Sequence, residues 1–205
     1  MGYGLVDSIA RPGKNITRIA VAPQILWGKR LELLVELLGH RPAKIAWLSN
    51  PEYVLPAKLN EAAVMQLAET LGIEVERWEV RKADDLDRAF AAAAGSEAVL
   101  VQWLGLTYVL RWQIAELAAQ HLLPSLYEVR DYVVAGGLMS YGLDYRETLR
   151  WGVAYVDRIL RGAPPRDLPV EQASKFELVI NLKTAKAMGV TVPEALLVRA
   201  DKVIE

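Results

Sequence analysis

The sequence predicts an α/β protein built on a parallel β-sheet, and three observations lead to this prediction. Strand-like and helix-like segments alternate along the chain, which is the pattern of successive βαβ units. The segment from Ala98 to Trp103 is almost continuously apolar, as expected for a parallel strand covered on both faces. Hydrophobic residues make up 53% of the chain and charged residues 24%, a composition that favours a folded globular protein over a disordered one.

The alternation can be followed element by element. The predicted strands are residues 16–22, 44–48, 73–80, 98–103, 123–127 and 176–182. The predicted helices are residues 28–38, 56–71, 86–94, 111–121 and 145–160, then a short helix that ends at Gly189 and a last helical turn from Pro193. Leu31, Leu34 and Leu38 recur at helical spacing in the first helix, and Gly39 ends it. Residues 44–127 therefore form one unit with four strands.

The rhythm changes after Tyr127. The residues Ala135-Gly136-Gly137 interrupt the pattern, and the helix over 145–160 aligns Leu149, Val153, Val156 and Leu160 on one face. This tail does not continue the earlier repeat, so we expect a second, smaller structural layer. The predicted organisation is residues 1–22, residues 23–135 and residues 136–205.

Composition excludes several classes of protein. The formal net charge is −1 and the isoelectric point is near 6.2, so no basic excess exists for binding nucleic acid. The chain has no cysteine, which excludes disulfides and thiol nucleophiles. The longest apolar stretch, residues 98–110, is too short and too polar to span a membrane. The first residues have neither the basic nor the apolar segment of a signal peptide, so no export signal is expected in this chain.

No catalytic constellation stands out. The two histidines, His40 and His121, each lie at a predicted helix end, where a cation is favoured by the helix dipole. The run Gly137 to Gly142 has one residue too many for the G-x-S-x-G motif of serine hydrolases. We therefore predict a protein that is not an enzyme, with no metal and no cofactor.

Polar and aromatic residues follow successive predicted strands. Ligands of open α/β sheets bind outside the carboxyl ends of the strands. The positions selected by this rule are Ser49, Asn50, Trp103, Thr107, Tyr127 and Glu128. Hydroxyls hold a carboxylate, Glu128 takes an ammonium and the aromatic rings cover an apolar side chain, so the set suits a small zwitterionic solute. Loops of any protein carry such residues, and that simpler interpretation stays open.

Three parts of the sequence resemble the ABC transporter substrate-binding protein family. They are residues 130–142 (RDYVVAGGLMSYG), residues 168–186 (LPVEQASKFELVINLKTAK), and the segments 4–6, 10–13, 15–17 and 28–34 near the start. The resemblance is to the TrpX-like members, which bind tryptophan and tyrosine and have a type I periplasmic-binding-protein fold. It covers essentially the whole chain.

The resemblance implies a parallel-sheet, Rossmann-like second lobe together with a partial first lobe. Family members close two lobes around a small solute and deliver it to an ABC permease. We therefore expect a small organic solute such as an amino acid in an interlobe cleft, with Ser140 and Asp144 on the hinge side. Trp103-Leu104-Gly105-Leu106 stands where relatives commonly carry a Pro-Asp-type turn, so the solute can differ from theirs.

Two further expectations follow from the resemblance. The first-lobe remnants, about residues 1–22 and 138–180, lack neighbours, and we expect them to pair with a second copy in a homodimer. The resemblance implies a periplasmic or cell-surface location, whereas the chain as written has no export signal. The alternative is a cytoplasmic ligand-sensing or interaction domain that uses the same fold without transport.

Overall fold

A computed structural model describes residues 6–20, 23–52, 56–92, 95–173 and 175–205 of the chain. Within these residues the strands, in chain order, are β1 (Ile19–Ala20), β2 (Lys44–Ser49), β3 (Glu74–Glu79), β4 (Val99–Val101), β5 (Ser125–Tyr127), β6 (Met139–Leu143), β7 (Glu171–Gln172), β8 (Phe176–Asn181) and β9 (Lys202–Ile204). The helices are α1 (Pro23–Leu38), α2 (Pro56–Leu71), α3 (Asp85–Ala91), α4 (Gly105–Val109), α5 (Arg111–Gln120), α6 (Arg130–Val134), α7 (Tyr145–Leu160), α8 (Leu182–Ala187) and α9 (Glu194–Arg199), with a 3-10 turn at Pro165–Asp167.

The predicted α/β class with a mainly parallel sheet is confirmed. Seven of the described strands form one sheet in the order β3-β2-β4-β5-β6-β8-β9, and β1 and β7 form a separate pair. Neighbours pair in parallel from β3 through to β6, and β8 pairs in parallel with β9. In the shared register, Leu48 lies opposite Val101, Val101 opposite Tyr127, and Tyr127 opposite Ser140. Strands β2, β4, β5 and β6 therefore end at one side of the sheet, which we call the carboxyl edge.

The core of the larger sheet lies between α1 and the strands. Trp27, Leu31 and Leu34 are buried, and their spacing puts them on one face of α1. They share one apolar cluster with residues from three adjacent strands, namely Trp47, Leu100 and Leu126. The rings of Trp27 and Trp47 meet edge to face, with centroids 4.5 Å apart. This packing holds α1 against β2, β4 and β5, which are strands whose ends form the carboxyl edge.

The chain divides into two compact units. The larger contains residues 23–142 and 177–205, and the smaller contains residues 1–22 and 143–176. The strand pair β1–β7 and helix α7 belong to the smaller unit. The sequence pattern placed a boundary at residue 135/136, whereas the structural division lies at 142/143 and the last 29 residues group with the larger unit. No helix in the described ranges is long and apolar enough to cross a membrane.

Several element boundaries differ from prediction. The strand predicted over 16–22 is reduced to Ile19–Ala20 in the described residues, since only the short β7 is there to pair with it, and residues 21 and 22 lie outside them. Helix α1 begins at Pro23, five residues before the predicted start, because proline is tolerated in the first helical turn. The sequence pattern did not predict β6, β9, α4 or α6, whose 3 to 5 residues are too short for a periodic signal.

Replacing Trp47 tests the core. Trp47→Ala removes a fully buried ring that contacts Trp27, so we expect it to lower the free energy of unfolding by about 4 kcal/mol. Trp112 is the matched control, because its side chain is 57% exposed, and Trp112→Ala should change stability by no more than about 0.5 kcal/mol. Urea denaturation measures both values, and equal losses would contradict this placement of the core.

The ion pair of His40 with Glu97 predicts a pH dependence of stability. His40 Nε2 lies 2.6 Å from Glu97 Oε2, and this bond raises the pKa of His40 above its ordinary value. A raised pKa means that the stabilisation is complete below the unfolded pKa, near 6.5, and disappears as the pH rises through the folded value. We therefore expect His40→Ala to lower the melting temperature more at pH 6 than at pH 9. A loss of the same size at both pH values would contradict the prediction.

Candidate functional site

The carboxyl edge brings together the ends of β2, β4 and β5. The amide of Gln102 donates to the carbonyl oxygen of Leu48 at 3.0 Å, so the segment after β4 stays beside the end of β2. Three adjacent strands therefore end close together, and the predicted residues at or just after their ends are Ser49, Asn50, Trp103, Tyr127 and Glu128. Together with Thr107, which lies in helix α4 after β4, these are six of the eight predicted site residues.

A buried ion pair lies at the end of β5. Glu128 Oε2 is 3.3 Å from Arg30 Nη1, and the two side chains are only 10% and 2% exposed. Arg30 also donates from Nε to the carbonyl oxygen of Tyr141 in β6, at 2.8 Å. Its guanidinium lies over the ring of Trp27, 4.3 Å from the centroid. Arg30 therefore links α1 to the end of β5 and to the backbone of β6.

The second carboxylate oxygen of Glu128 positions the loop after β4. Glu128 Oε1 accepts a hydrogen bond of 2.7 Å from the backbone amide of Trp103. Burial raises the pKa of Glu128, and the opposing effects of Arg30 and the Trp103 amide are smaller. Gly142 completes the packing, because a Cβ there would overlap the carbonyl oxygen of Glu128. Glu128 was expected to hold the ammonium group of a solute. The structure does not fit that role, because both carboxylate oxygens already contact groups of the protein, namely Arg30 and the Trp103 amide.

Trp103 is the one exposed member of the eight predicted site residues, all of which are described. Its side chain is 38% exposed, and its ring meets that of Tyr108 edge to face at 6.5 Å. Tyr108 is held by a 2.6 Å hydrogen bond to Asp131, which raises the pKa of the Tyr108 hydroxyl, and the Arg111 guanidinium covers its ring at 4.6 Å. The carboxyl edge therefore presents an aromatic ring backed by a fixed polar cluster.

Thr107 is placed differently from what the strand-end rule suggested. Its side chain is fully buried, and its hydroxyl donates to the carbonyl oxygen of Gln102 at 2.6 Å. The hydroxyl oxygen of Thr107 in turn accepts from the amide of Leu104 at 3.0 Å and from the hydroxyl of Tyr132 at 2.9 Å. Thr107 thus shapes the start of α4 and has no surface to offer a solute.

Ser49 and Asn50 lie at the end of β2 and are largely buried, at 8% and 7% exposure. The side-chain oxygen of Asn50 accepts from the amide of Glu52 at 2.9 Å, which forms the turn after the strand. Tyr127 is fully buried and stacks on Tyr132 with centroids 4.8 Å apart. Burial raises the pKa of the Tyr127 hydroxyl, so that hydroxyl stays neutral.

Three predicted or neighbouring residues of this edge have a buried polar atom without a hydrogen-bond partner among the described atoms: Gln102 Nε2, Tyr127 Oη and Ser140 Oγ. None of the three residues is more than 1% exposed. A buried polar group without a hydrogen-bond partner destabilises the folded state. Moving such a group into contact with water or a solute would remove that cost. Ser140 lies in β6 opposite Tyr127, and its expected place on the hinge side of a cleft stays a prediction.

Asp144 belongs to the smaller unit, where it caps α7. Its carboxylate accepts from the amides of Arg146 and Glu147 at 3.1 and 3.4 Å, and this satisfies two donors of the first helical turn. The structure therefore assigns its carboxylate a local capping role.

Sequence reasoning missed Arg30, Gln102, Tyr108 and Tyr141. Arg30 carried a signal that could have been used, since it lies three residues after Trp27 and four before Leu34, on the apolar face of α1. A charge on such a face requires a buried partner. No group of three or more His, Asp or Glu side chains in the described ranges could hold a metal ion.

The comparisons identify the family. The model of the family described as ABC transporter substrate binding protein matches residues 1–204. The chain therefore belongs to the ABC transporter substrate-binding protein family, as the resemblance implied.

Individual relatives support this assignment. A tyrosine-binding protein from Clostridioides difficile is 25% identical over 186 residues, which are 90% of this chain and 53% of that protein. A conserved domain protein from Vibrio cholerae has a TM-score of 0.84 at 28% identity, over 97% of this chain and 66% of its own. An ABC domain in complex with L-Trp from Streptococcus pneumoniae has a TM-score of 0.82 at 24% identity, over 98% and 68%, and shows the same fold. The chain thus spans about half the length of the curated relative.

Neutralising Glu128 tests the buried ion pair. Glu128→Gln keeps an oxygen for the Trp103 amide but leaves the Arg30 charge buried without a counter-ion, so we expect a loss of about 3 kcal/mol in the free energy of unfolding. The control is Glu32→Gln in the same helix as Arg30, because the pair of Glu32 with Lys29 is exposed and should contribute less than about 0.5 kcal/mol. Urea denaturation compares the two variants. A loss no greater for Glu128→Gln than for Glu32→Gln would refute the role of the pair.

Proposed function

We propose that this protein is the solute-binding component of an ABC importer and that it binds an aromatic amino acid at the carboxyl edge of its larger sheet. The observation that carries the proposal is the exposed ring of Trp103 at the end of β4, held through its amide by the buried Glu128. Family membership supports a binding role. The relatives that bind tyrosine and L-Trp support the class of solute.

The chemistry of the edge favours recognition of the solute side chain. Aromatic rings pack against one another with a preference for offset or edge-to-face geometry, and Trp103 already meets Tyr108 in this way. A solute ring placed on the exposed face of Trp103 would extend that packing. At the same edge, Gln102 Nε2 and Ser140 Oγ are buried without hydrogen-bond partners among the described atoms, and a local opening that exposed them would offer an amide and a hydroxyl to the polar end of a small solute.

The carboxyl edge contributes little to holding an ammonium group. Glu128 is the acidic residue at the end of β5, and Arg30 neutralises it at 3.3 Å. Introducing a second cation there would compete with an existing buried contact. We infer that selectivity at this wall comes from the shape and aromaticity of the solute more than from its charge.

Family membership supports transport as the role of the protein. The role we propose for the whole protein is to deliver the solute to an ABC permease, from a location outside the cytoplasmic membrane. A ligand-sensing protein with the same fold would need no permease. A permease and an ATPase encoded beside this chain would support transport, and their absence would favour sensing.

Trp103→Ala tests the proposed site. We expect L-tryptophan and L-tyrosine to raise the melting temperature of the wild type, since a ligand at 100 times its dissociation constant stabilises a protein by about 2.7 kcal/mol. Loss of the Trp103 ring should weaken binding about tenfold, or about 1.4 kcal/mol, and Trp103→Phe should retain most of the affinity. Isothermal titration calorimetry measures the dissociation constants.

The matched control for this experiment is Trp112→Ala, because Trp112 is an exposed tryptophan in α5 that does not follow a strand. The Trp112→Ala variant should bind L-tryptophan and L-tyrosine with the affinity of the wild type. The proposed site would be refuted if neither aromatic amino acid raised the melting temperature of the wild type. It would also be refuted if Trp103→Ala and the wild type bound these amino acids with equal affinity.

A further inference from the structure

The side chain of Arg111 is held in a defined orientation where α4 meets α5. Its guanidinium lies over the ring of Tyr108, with Cζ 4.6 Å from the ring centroid. Its Nη1 also donates a hydrogen bond of 2.8 Å to the carbonyl oxygen of Tyr108. A cation over an aromatic ring and a hydrogen bond to the same residue fix both the position and the plane of the guanidinium.

Tyr108 is itself a rigid support for this guanidinium. Its hydroxyl donates to Asp131 Oδ2 at 2.6 Å, and its ring meets that of the fully buried Tyr132 edge to face, with centroids 6.2 Å apart. Asp131 is therefore bound at the hydroxyl end of the tyrosine, whereas Arg111 lies over its ring. The anion and the cation are held at different parts of one side chain, so the guanidinium keeps its full charge beside the ring.

The guanidinium of Arg111 lies close to Trp103. Both contact Tyr108, the Trp103 ring edge to face at 6.5 Å and the guanidinium at 4.6 Å. The distance from the guanidinium to the Trp103 ring cannot exceed the sum of these two values. An aromatic amino acid carries its carboxylate a few bonds from its ring, so one such solute can reach Trp103 with its ring and Arg111 with its carboxylate.

Arg111 differs in its contacts from the arginines around it. Arg30 is paired with Glu128, and Arg130 at the start of α6 is paired with Glu177 at 3.6 Å. The half-buried Arg111 contacts a neutral ring and a neutral carbonyl oxygen. A guanidinium has five N–H donors in a planar fork, and the bond to the carbonyl uses one of them. The remaining donors suit a carboxylate, which arginine binds through two parallel hydrogen bonds.

We propose that Arg111 binds the carboxylate of the solute and that the site therefore takes aromatic carboxylates as a class. This inference rests on the proposed function, because Trp103 is the residue that would hold the aromatic ring. The class is broader than the amino acids, since Glu128 is already paired with Arg30 and does not require an ammonium group on the solute. An aromatic acid without an amino group belongs to it as well.

Three indole compounds test the proposal on the wild-type protein. L-tryptophan has both charged groups, indole-3-propionate lacks the ammonium and tryptamine lacks the carboxylate. Isothermal titration calorimetry should give L-tryptophan and indole-3-propionate dissociation constants within about threefold of each other. Tryptamine should bind about thirtyfold more weakly, because it cannot form the charge-assisted hydrogen bonds and adds a second cation near Arg111.

Substitution of Arg111 separates solute binding from a structural role. Arg111→Gln should weaken binding of L-tryptophan and of indole-3-propionate about thirtyfold and leave the affinity for tryptamine unchanged. Arg111→Lys, which keeps the charge but not the planar fork, should bind both carboxylates with intermediate affinity. Arg88→Gln is the matched control, because Arg88 is an arginine of α3 whose side chain is 80% exposed and pairs with Asp85, and this variant should bind like the wild type.

Equal affinity of the wild type for tryptamine and L-tryptophan would overturn the proposal. A loss of the same size for all three compounds in Arg111→Gln would overturn it as well, because it would show a structural role of Arg111. If Trp103→Ala weakens binding of L-tryptophan and Arg111→Gln does not, this proposal fails while the proposed function stands. If the wild type binds none of the three compounds, both fail.

Discussion

The buried pair of Arg30 and Glu128 is the interaction on which the carboxyl edge depends. Through it, one side chain of α1 contacts the end of β5 and the backbone of β6, and the partner carboxylate fixes the loop after β4. Removing two charges from water costs several kcal/mol per ion, and only close contacts with good geometry compensate for it. The edge therefore has one favourable arrangement, in which Trp103 is presented to solvent. The aromatic core around Trp27 and Trp47 supports that arrangement from below, because Arg30 lies on the Trp27 ring.

The general fold could be predicted from the sequence, whereas the use of individual side chains could not. Alternating segments and the apolar strand before Trp103 are local patterns, and they were sufficient to predict a parallel sheet whose strand ends bring the predicted site residues to one edge. The partners of Glu128 are 98 positions away in Arg30 and 25 away in Trp103, and no local pattern identifies them. Thr107 is similar, because its burial depends on Tyr132 from a later helix. Strands β6 and β9 were missed because their identity is set by neighbouring strands and not by their own composition.

The two compact units differ in how completely they bury their apolar residues. The larger unit encloses a continuous cluster between α1 and the sheet, and it exposes Trp103 at the carboxyl edge and Trp112 in α5. In the smaller unit, Tyr155 of α7 is buried, whereas several other apolar side chains of that helix are exposed.

Hydrogen exchange measured by mass spectrometry, with and without saturating L-tryptophan, tests the central claim most directly. If the Arg30–Glu128 pair organises a solute site, the ligand should slow exchange in peptides that cover residues 102–108 and 127–132. Peptides that cover residues 40–46 and 95–98, at the opposite edge of the sheet, should exchange at the same rate in both states. The account would be contradicted if the ligand slowed exchange only at that opposite edge. It would also be contradicted if exchange at the carboxyl edge were unchanged under conditions where calorimetry shows saturation.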